Sequence, residues 1–187
     1  MRKDINTMVC PVGLAGGLDN PLRRLFQNPR KILQPYIRPG MTVLDLGCGP
    51  GFFSIEIAKL LAGSGKLIAA DLQQGMLDRV LKKIRGTEMD RIIQTHRCEA
   101  GRIGLTEKVD FALAFYVVHE MPDHDALFRE LKSIIRPEGR LFIIEPRFHV
   151  TQKAFGMMEN RLADAGFTVV DRPRLAISRA ILATARK

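Results

Sequence analysis

Tryptophan is absent from this 187-residue sequence, and only two tyrosines accompany ten phenylalanines. A platform that grips nucleic acid by stacking bases has little to draw on. Cysteine is nearly as scarce: Cys10, Cys48 and Cys98 are too few for a disulfide framework, and no CxxC pair marks a zinc site. No apolar run approaches the roughly 18 residues that cross a bilayer. The mildly apolar stretch Met8–Leu18 is broken by Pro11 and three glycines, a poor core for a signal peptide. A reducing, cytoplasmic setting is the expectation.

What is present suits one globular domain. The chain is 46% hydrophobic and 26% charged, so it can bury a substantial core. The net charge of +9 is unevenly spread: +5 over residues 1–40, −2 over 41–128 and +6 over 129–187. The basic flanks permit a nucleic-acid partner, but the cations are scattered rather than clustered, which favours a solvated basic surface. No repeat, low-complexity tract or second domain stands out in 1–187, and oligomeric state is not legible.

From residue 41 onward, short β-branched runs alternate with segments of helical period. Met41–Leu46, Lys66–Ala70, Arg91–Thr95, Val109–Tyr116 and Arg140–Glu145 read as strands, and Phe52–Leu61, Gln73–Arg85 and Asp123–Ile135 as helices. That rhythm gives βαβ units and a parallel sheet covered on both faces. Thr151–Ala165 reads as a helix stopped by Gly166, followed by strands at Phe167–Asp171 and Ile177–Ala185. With no room for a crossover, these last two pair antiparallel. The expected fold is α/β, a Rossmann-like doubly wound sheet of seven mostly parallel strands with one antiparallel strand near its edge. Ahead of the core at 39–187, Asn20-Pro21 and Asn28-Pro29 each combine an N-cap with a first-turn proline, which predicts helices at Pro21–Gln27 and Pro29–Ile37. The N-terminal segment, 1–38, is expected to comprise these two helices and, at residues 1–20, a flexible apolar strip that acts as a lid over the site.

The chemistry concentrates at Val43-Leu-Asp-Leu-Gly-Cys-Gly-Pro-Gly51, where the first strand turns into the first helix. Such a turn exposes backbone amides and lets a ligand approach the main chain. A dinucleotide fingerprint needs G-x-G-x-x-G, but here Phe52 stands at the last position, which weakens an NAD(P) reductase reading. Asp71, twenty residues after Gly51, closes the second strand, where an acid can accept from both ribose hydroxyls of a nucleoside cofactor. Its hydrogen-bond partners are accordingly expected on the ligand.

The pattern D-x-G-C-G-P-G resembles motif I of the class I S-adenosylmethionine-dependent methyltransferases. Cys98-Glu99-Ala100-Gly101-Arg102-Ile103 is similar to the family's G-D-A-x-x-L, and Asp110–Glu120 to its fourth motif. The resemblance covers roughly residues 40–187 and points to the methyltransferase type 11 group with ubiquinone- and menaquinone-biosynthesis-like members. It implies S-adenosylmethionine as cofactor, held by Asp45, Gly47, Cys48, Gly49, Gly51, Asp71, Leu72, Met76, Glu99, Ala100 and Phe115. Glu99 stands where the family has aspartate and is one methylene longer.

Methyl transfer from a sulfonium needs alignment more than it needs a catalytic triad, and none is evident. The expected acceptor is a small molecule. A nucleic-acid (RNA) acceptor is the alternative, although the N/D-P-P-Y/F turn usual in base-modifying amino-methyltransferases is replaced by Val117-Val118-His119-Glu120; a non-catalytic nucleotide-binding module is a third. Tyr116, His119 and Glu120 are the catalytic candidates. Cys10, Tyr116, His119, Glu145, Arg147 and His149 are the substrate-pocket candidates. No metal is expected, because the two histidines and two glutamates lack tight ligand spacing.

Overall fold

The structure, a computed structural model, describes residues 27–186. The expected helix Pro21–Gln27, the glycine-rich segment before it and Cys10 lie outside the described residues, except for Gln27 itself. The elements are α1 (Pro29–Leu33), β1 (Thr42–Leu46), α2 (Ser54–Leu60), β2 (Lys66–Asp71), α3 (Gln74–Ile84), β3 (Ile93–Arg97), β4 (Val109–Phe115), α4 (His124–Ile134), β5 (Ile135–Pro146), α5 (Gln152–Asp164), β6 (Phe167–Asp171) and β7 (Ser178–Ala185).

The seven strands form one sheet in the order β3-β2-β1-β4-β5-β7-β6. Pairs along β3-β2-β1-β4-β5 are parallel, while β7 runs antiparallel to both β5 and β6. The single antiparallel strand next to the edge is the arrangement expected from the short link between β6 and β7. Successive strand residues face opposite sides. Leu44 and Ile143 pack with Leu127, Leu131, Phe155 and Leu162 of α4 and α5. Val43 and Phe142 pack with Leu33, Ile57 and Leu77 of α1, α2 and α3. Helices thus cover both faces, as buried parallel strands require.

Local chemistry sets the element ends. Asn28 accepts from the Lys31 amide at 3.1 Å with Pro29 behind it, which starts α1 as the sequence implies. The helix stops at Leu33 rather than Ile37, because Pro35 has no N–H to continue the ladder and clashes with the preceding turn. Strand β3 begins at Ile93, not Arg91, since Thr87 caps a tight turn over Glu88–Arg91. Strand β5 begins at Ile135, not Arg140: Ile135 already pairs with Val109, and Pro137-Glu138-Gly139 forms an irregularity inside the strand.

From β1 the chain winds outward through β2 and β3, then crosses back to β4 on the other side of β1. Such a reversal leaves a crevice beyond the carboxyl ends of the strands. The rigid base beneath it includes Phe142, fully buried at the centre of β5, with Tyr36 edge-on at 5.0 Å and Phe111 at 6.5 Å. Phe142→Ala should lower unfolding free energy by about 3–5 kcal/mol, through lost burial and the cavity left behind. Urea unfolding with an unchanged m-value checks this.

Candidate functional site

A cavity of about 660 Å³ opens beyond the carboxyl ends of β1 to β5. Its floor is the loop after β1. The amides of Gly47 and Cys48 return to the Ala70 carbonyl of β2, at 2.8 and 3.0 Å, so the loop folds back over the sheet. Gly49 has φ +54°, and a Cβ there would meet no protein atom within 4 Å. A side chain at that position would stand in the cavity, and a left-handed backbone disfavours one in any case. Asp45, 1% exposed, accepts from the Ser54 hydroxyl at 2.6 Å, which ties the end of β1 to the start of α2.

Asp71 joins the loops after β1 and β2. One carboxylate oxygen accepts from the Gly49 amide and the other from the Gln73 amide, both at 2.9 Å. The expectation that its partners are all on a ligand is therefore corrected: at least two are backbone groups of the protein, because a buried carboxylate needs fixed donors. Burial raises its pKa, and the amides of Gln73, Gly49 and Leu72 offset only part of that rise. Burial, then the charges of Asp45 and Asp71, push the Cys48 thiol up. The Cys98 thiol is pushed up to about 12 by burial, with Asp71 and Glu130 adding to it. Both are protonated, weak nucleophiles that serve as small wall residues.

The loop after β3 is drawn together by reciprocal backbone bonds between Glu99 and Arg102, 3.0 and 3.1 Å. Glu130 of α4 anchors it by accepting the amides of Ile103 and Gly104. Glu99, Ala100 and Arg102 line this end of the cavity with Leu72 and the buried Met76.

The opposite end is more aromatic. Phe115 lies between Phe53, at 4.3 Å, and the stacked ring of Tyr116, at 4.1 Å. Tyr116 has φ +58°, a conformation that costs a non-glycine residue, and its hydroxyl is held at 2.6 Å by both Gln27 and Ser178. His149 lies 5.7 Å from His119 between ring centres, and Phe148, 73% exposed, packs against His149 at the rim.

Glu145, with no solvent exposure, organises the turn Val118–Glu120. One oxygen accepts the amides of Val118 and His119, at 2.9 and 3.3 Å, and the other meets His119 Nδ1 at 2.5 Å. Burial alone would lower the His119 pKa, but the hydrogen bond and charge of Glu145, with the charge of Glu120, make the net shift upward. Glu120 is pushed up to about 7, chiefly by burial; His119 opposes this while Glu145 and Asp71 add to it.

Most of the sequence candidates converge here. Asp45, Gly47, Cys48, Gly49, Asp71, Leu72, Met76, Glu99, Ala100, Phe115, Tyr116, His119, Glu120 and His149 all line the cavity. Three candidates do not. Gly51 lies behind the wall, where a Cβ would come within 3.1 Å of Val80, so its role is close packing. Glu145 sits beneath His119 rather than at the surface. Arg147 turns away, its Nε donating to the Ser178 carbonyl at 3.1 Å. Cys10 lies outside the described residues. Sequence reasoning missed Ser54, Gln27 and Ser178, whose partners lie 9, 89 and 62 positions away. It also missed Phe53 and Phe148, although their positions just after motif I and after β5 were a usable signal. Among the described residues no three His, Cys, Asp or Glu side chains converge on a metal position.

The family model for a methyltransferase domain matches residues 37–176. A demethylmenaquinone methyltransferase of Lactobacillus johnsonii is 32% identical over 130 residues, covering 69% of this chain and 51% of that protein. A ubiquinone/menaquinone biosynthesis C-methyltransferase of Shewanella frigidimarina is 25% identical over 124 residues, covering 64% of this chain and 49% of that protein. The chain thus spans about half the length of the curated relatives it matches. The crystal structure of an SAM-dependent methyltransferase from Aquifex aeolicus superposes with a TM-score of 0.85 at 25% identity, covering 94% of this chain and 99% of that one.

The electrostatics of the site yield a stability prediction. Glu120 has a folded-state pKa, about 7, above its ordinary 4.5. Its contribution to stability is complete below pH 4.5 and is lost as pH rises through about 7. Glu120→Gln should remove that loss and stabilise the protein on the order of 1–2 kcal/mol at pH 8, a value discounted for partial exposure. At pH 4 the two proteins should differ little. Unfolding measured across that range checks both limits.

Proposed function

This chain belongs to the family of methyltransferase domains, and we propose that it transfers a methyl group from S-adenosylmethionine to a small-molecule acceptor in the cavity described above. The observation that carries this reading is the end of the cavity where the bare main chain of Gly49 adjoins the Asp71 carboxylate. A glycine with open space above it admits a ligand against the backbone, and the carboxylate beside it suits ribose hydroxyls.

The residues present fit the cofactor. Among the described residues, the carboxyl groups of Asp45, Asp71, Glu99 and Glu120 line the cavity, against Arg102 as the one lysine or arginine there. That imbalance favours a cationic sulfonium. With two oxygens and about four lone-pair sites, Asp71 keeps capacity for ribose after accepting the Gly49 and Gln73 amides. Met76 offers an apolar wall to a purine, while Glu99 and the Ala100 amide offer it an acceptor and a donor. When bound, S-adenosylmethionine supplies an activated methyl group on a positively charged sulfur that leaves without protonation. The task left to the chain is to align an acceptor and exclude water, so proximity supplies much of the acceleration. Phe53, Phe115, Tyr116 and Phe148 supply the flat apolar wall for that acceptor. The quinone-pathway names of the relatives support a small aromatic acceptor.

Asp71→Ala tests this directly. Affinity for S-adenosylhomocysteine should fall by about 2–3 kcal/mol, the worth of charge-assisted hydrogen bonds to the ligand. The variant should also lose about 1–2 kcal/mol of stability, because the Gly49 and Gln73 amides lose their acceptor. Calorimetric titration of a variant shown to be folded separates the two effects. Unchanged affinity would remove Asp71 from the cofactor site and with it the main support for the reading.

A further inference from the structure

We infer that Glu145 and His119 form a carboxylate–imidazole dyad, in which Glu145 positions the ring and His119 Nε2 takes the proton of an acceptor hydroxyl; this inference rests on the methyl-transfer reading. Glu145 is fully buried at the end of β5 and accepts three N–H bonds, two from backbone amides and one from the imidazole. The amides lock the carboxylate, and the carboxylate fixes the ring. With Nδ1–H given to Glu145, the neutral ring carries its lone pair on Nε2, the acceptor end of the tautomer. Nε2 has no hydrogen-bond partner among the described residues, and His119 lines the cavity.

The other polar groups at this end are less suited. The Tyr116 hydroxyl is tied to Gln27 and Ser178. No side chain among the described residues holds the His149 ring by a hydrogen bond; its ring contacts there are with Phe148 and His119. Among the described residues, the groups facing His119 are Glu145 from β5, Glu120 in its own turn and His149 beyond β5. His124, at the start of α4, feels the same Glu145 charge.

The surroundings define the acceptor. The wall here includes Phe115, Tyr116, Pro146 and Phe148, which suits a flat, uncharged molecule. A hydroxyl on such a molecule is protonated at neutral pH and is a poor nucleophile until its proton leaves. In the transfer, the O–H bond breaks and its proton bonds to His119 Nε2. The oxygen's electron pair forms the new bond to the methyl carbon. The carbon–sulfur bond breaks with its pair left on sulfur, which becomes a neutral thioether. Charge is conserved, because the positive charge passes from sulfur to the imidazolium beside Glu145.

The test uses 2-naphthol and 2-methoxynaphthalene, which differ by the hydroxyl proton, bound to the full chain with S-adenosylhomocysteine present. At pH 8 the hydroxyl compound should bind about tenfold more tightly, the worth of one hydrogen bond. His119→Ala should abolish that preference while S-adenosylhomocysteine affinity is kept. The preference should fade as pH falls through the His119 midpoint, because an imidazolium cannot accept. In Glu145→Gln both the fading and the His119 titration, followed by NMR, should move to lower pH; a merely structural Glu145 would leave them in place. If that variant does not fold, His119→Ala and the wild-type titration decide the matter. Equal affinity for the two probes, or a preference that survives His119→Ala, would overturn the dyad while leaving the methyl-transfer reading intact. Failure of S-adenosylhomocysteine to bind the wild-type chain would overturn both.

Discussion

Two carboxylates that accept backbone amides at the ends of parallel strands hold this site together. A parallel sheet delivers its loops to one edge, but the strands cannot fix what lies beyond their last ladder bond. Asp71 does so at one end of the cavity by gathering the Gly49 and Gln73 amides. Glu145 does so at the other by gathering the Val118 and His119 amides and the His119 ring. A buried charge is costly unless it is fully hydrogen-bonded, so each carboxylate is stable only while its loop keeps one shape. Loop geometry and carboxylate burial therefore sustain each other.

That arrangement divides the cavity by chemistry. Around Gly49 and Asp71 the wall is main chain and carboxylate, suited to the polar face of a nucleoside. Around Phe115 and Tyr116 it is aromatic, with imidazole and hydroxyl groups set into it. The two halves meet near Glu120, whose titration responds to His119, Glu145 and Asp71 together. A reaction that begins with a cation in one half and ends with a proton in the other suits this layout. The Cys48 and Cys98 thiols stay protonated beside it, held so by burial and neighbouring acids.

The sheet was legible because its signals are local. Periodicity located every strand, and the short link after Phe167–Asp171 required the antiparallel β7. Errors fell where a local signal was overridden: Pro35 ended α1 early, and Ile135 joined β5 ahead of the Pro137-Glu138-Gly139 turn. The floor of the cavity was legible for the same reason, since Asp45–Gly51 is one continuous motif. The aromatic end was only half legible. Position after β4 and β5 marked Tyr116, His119 and His149, but nothing local distinguished Glu145, which lies beneath the ring, from Arg147, which turns away. Pairings such as Tyr116 with Ser178 join distant parts of the chain, so they emerge only when the sheet assembles. Asp71 showed the same gap in another form, because its link to Gly49 crosses between two loops.

The proposed function puts a nucleoside at one end of this cavity and a methyl acceptor at the other. Amide chemical-shift mapping with S-adenosylhomocysteine on isotopically labelled protein tests it most directly. Saturable shifts are expected to concentrate at Gly47, Gly49, Leu72, Glu99 and Ala100, with smaller changes reaching His119 and Glu120, and none on the outer strand β6. Shifts confined to another surface, or no saturable response at all, would contradict it.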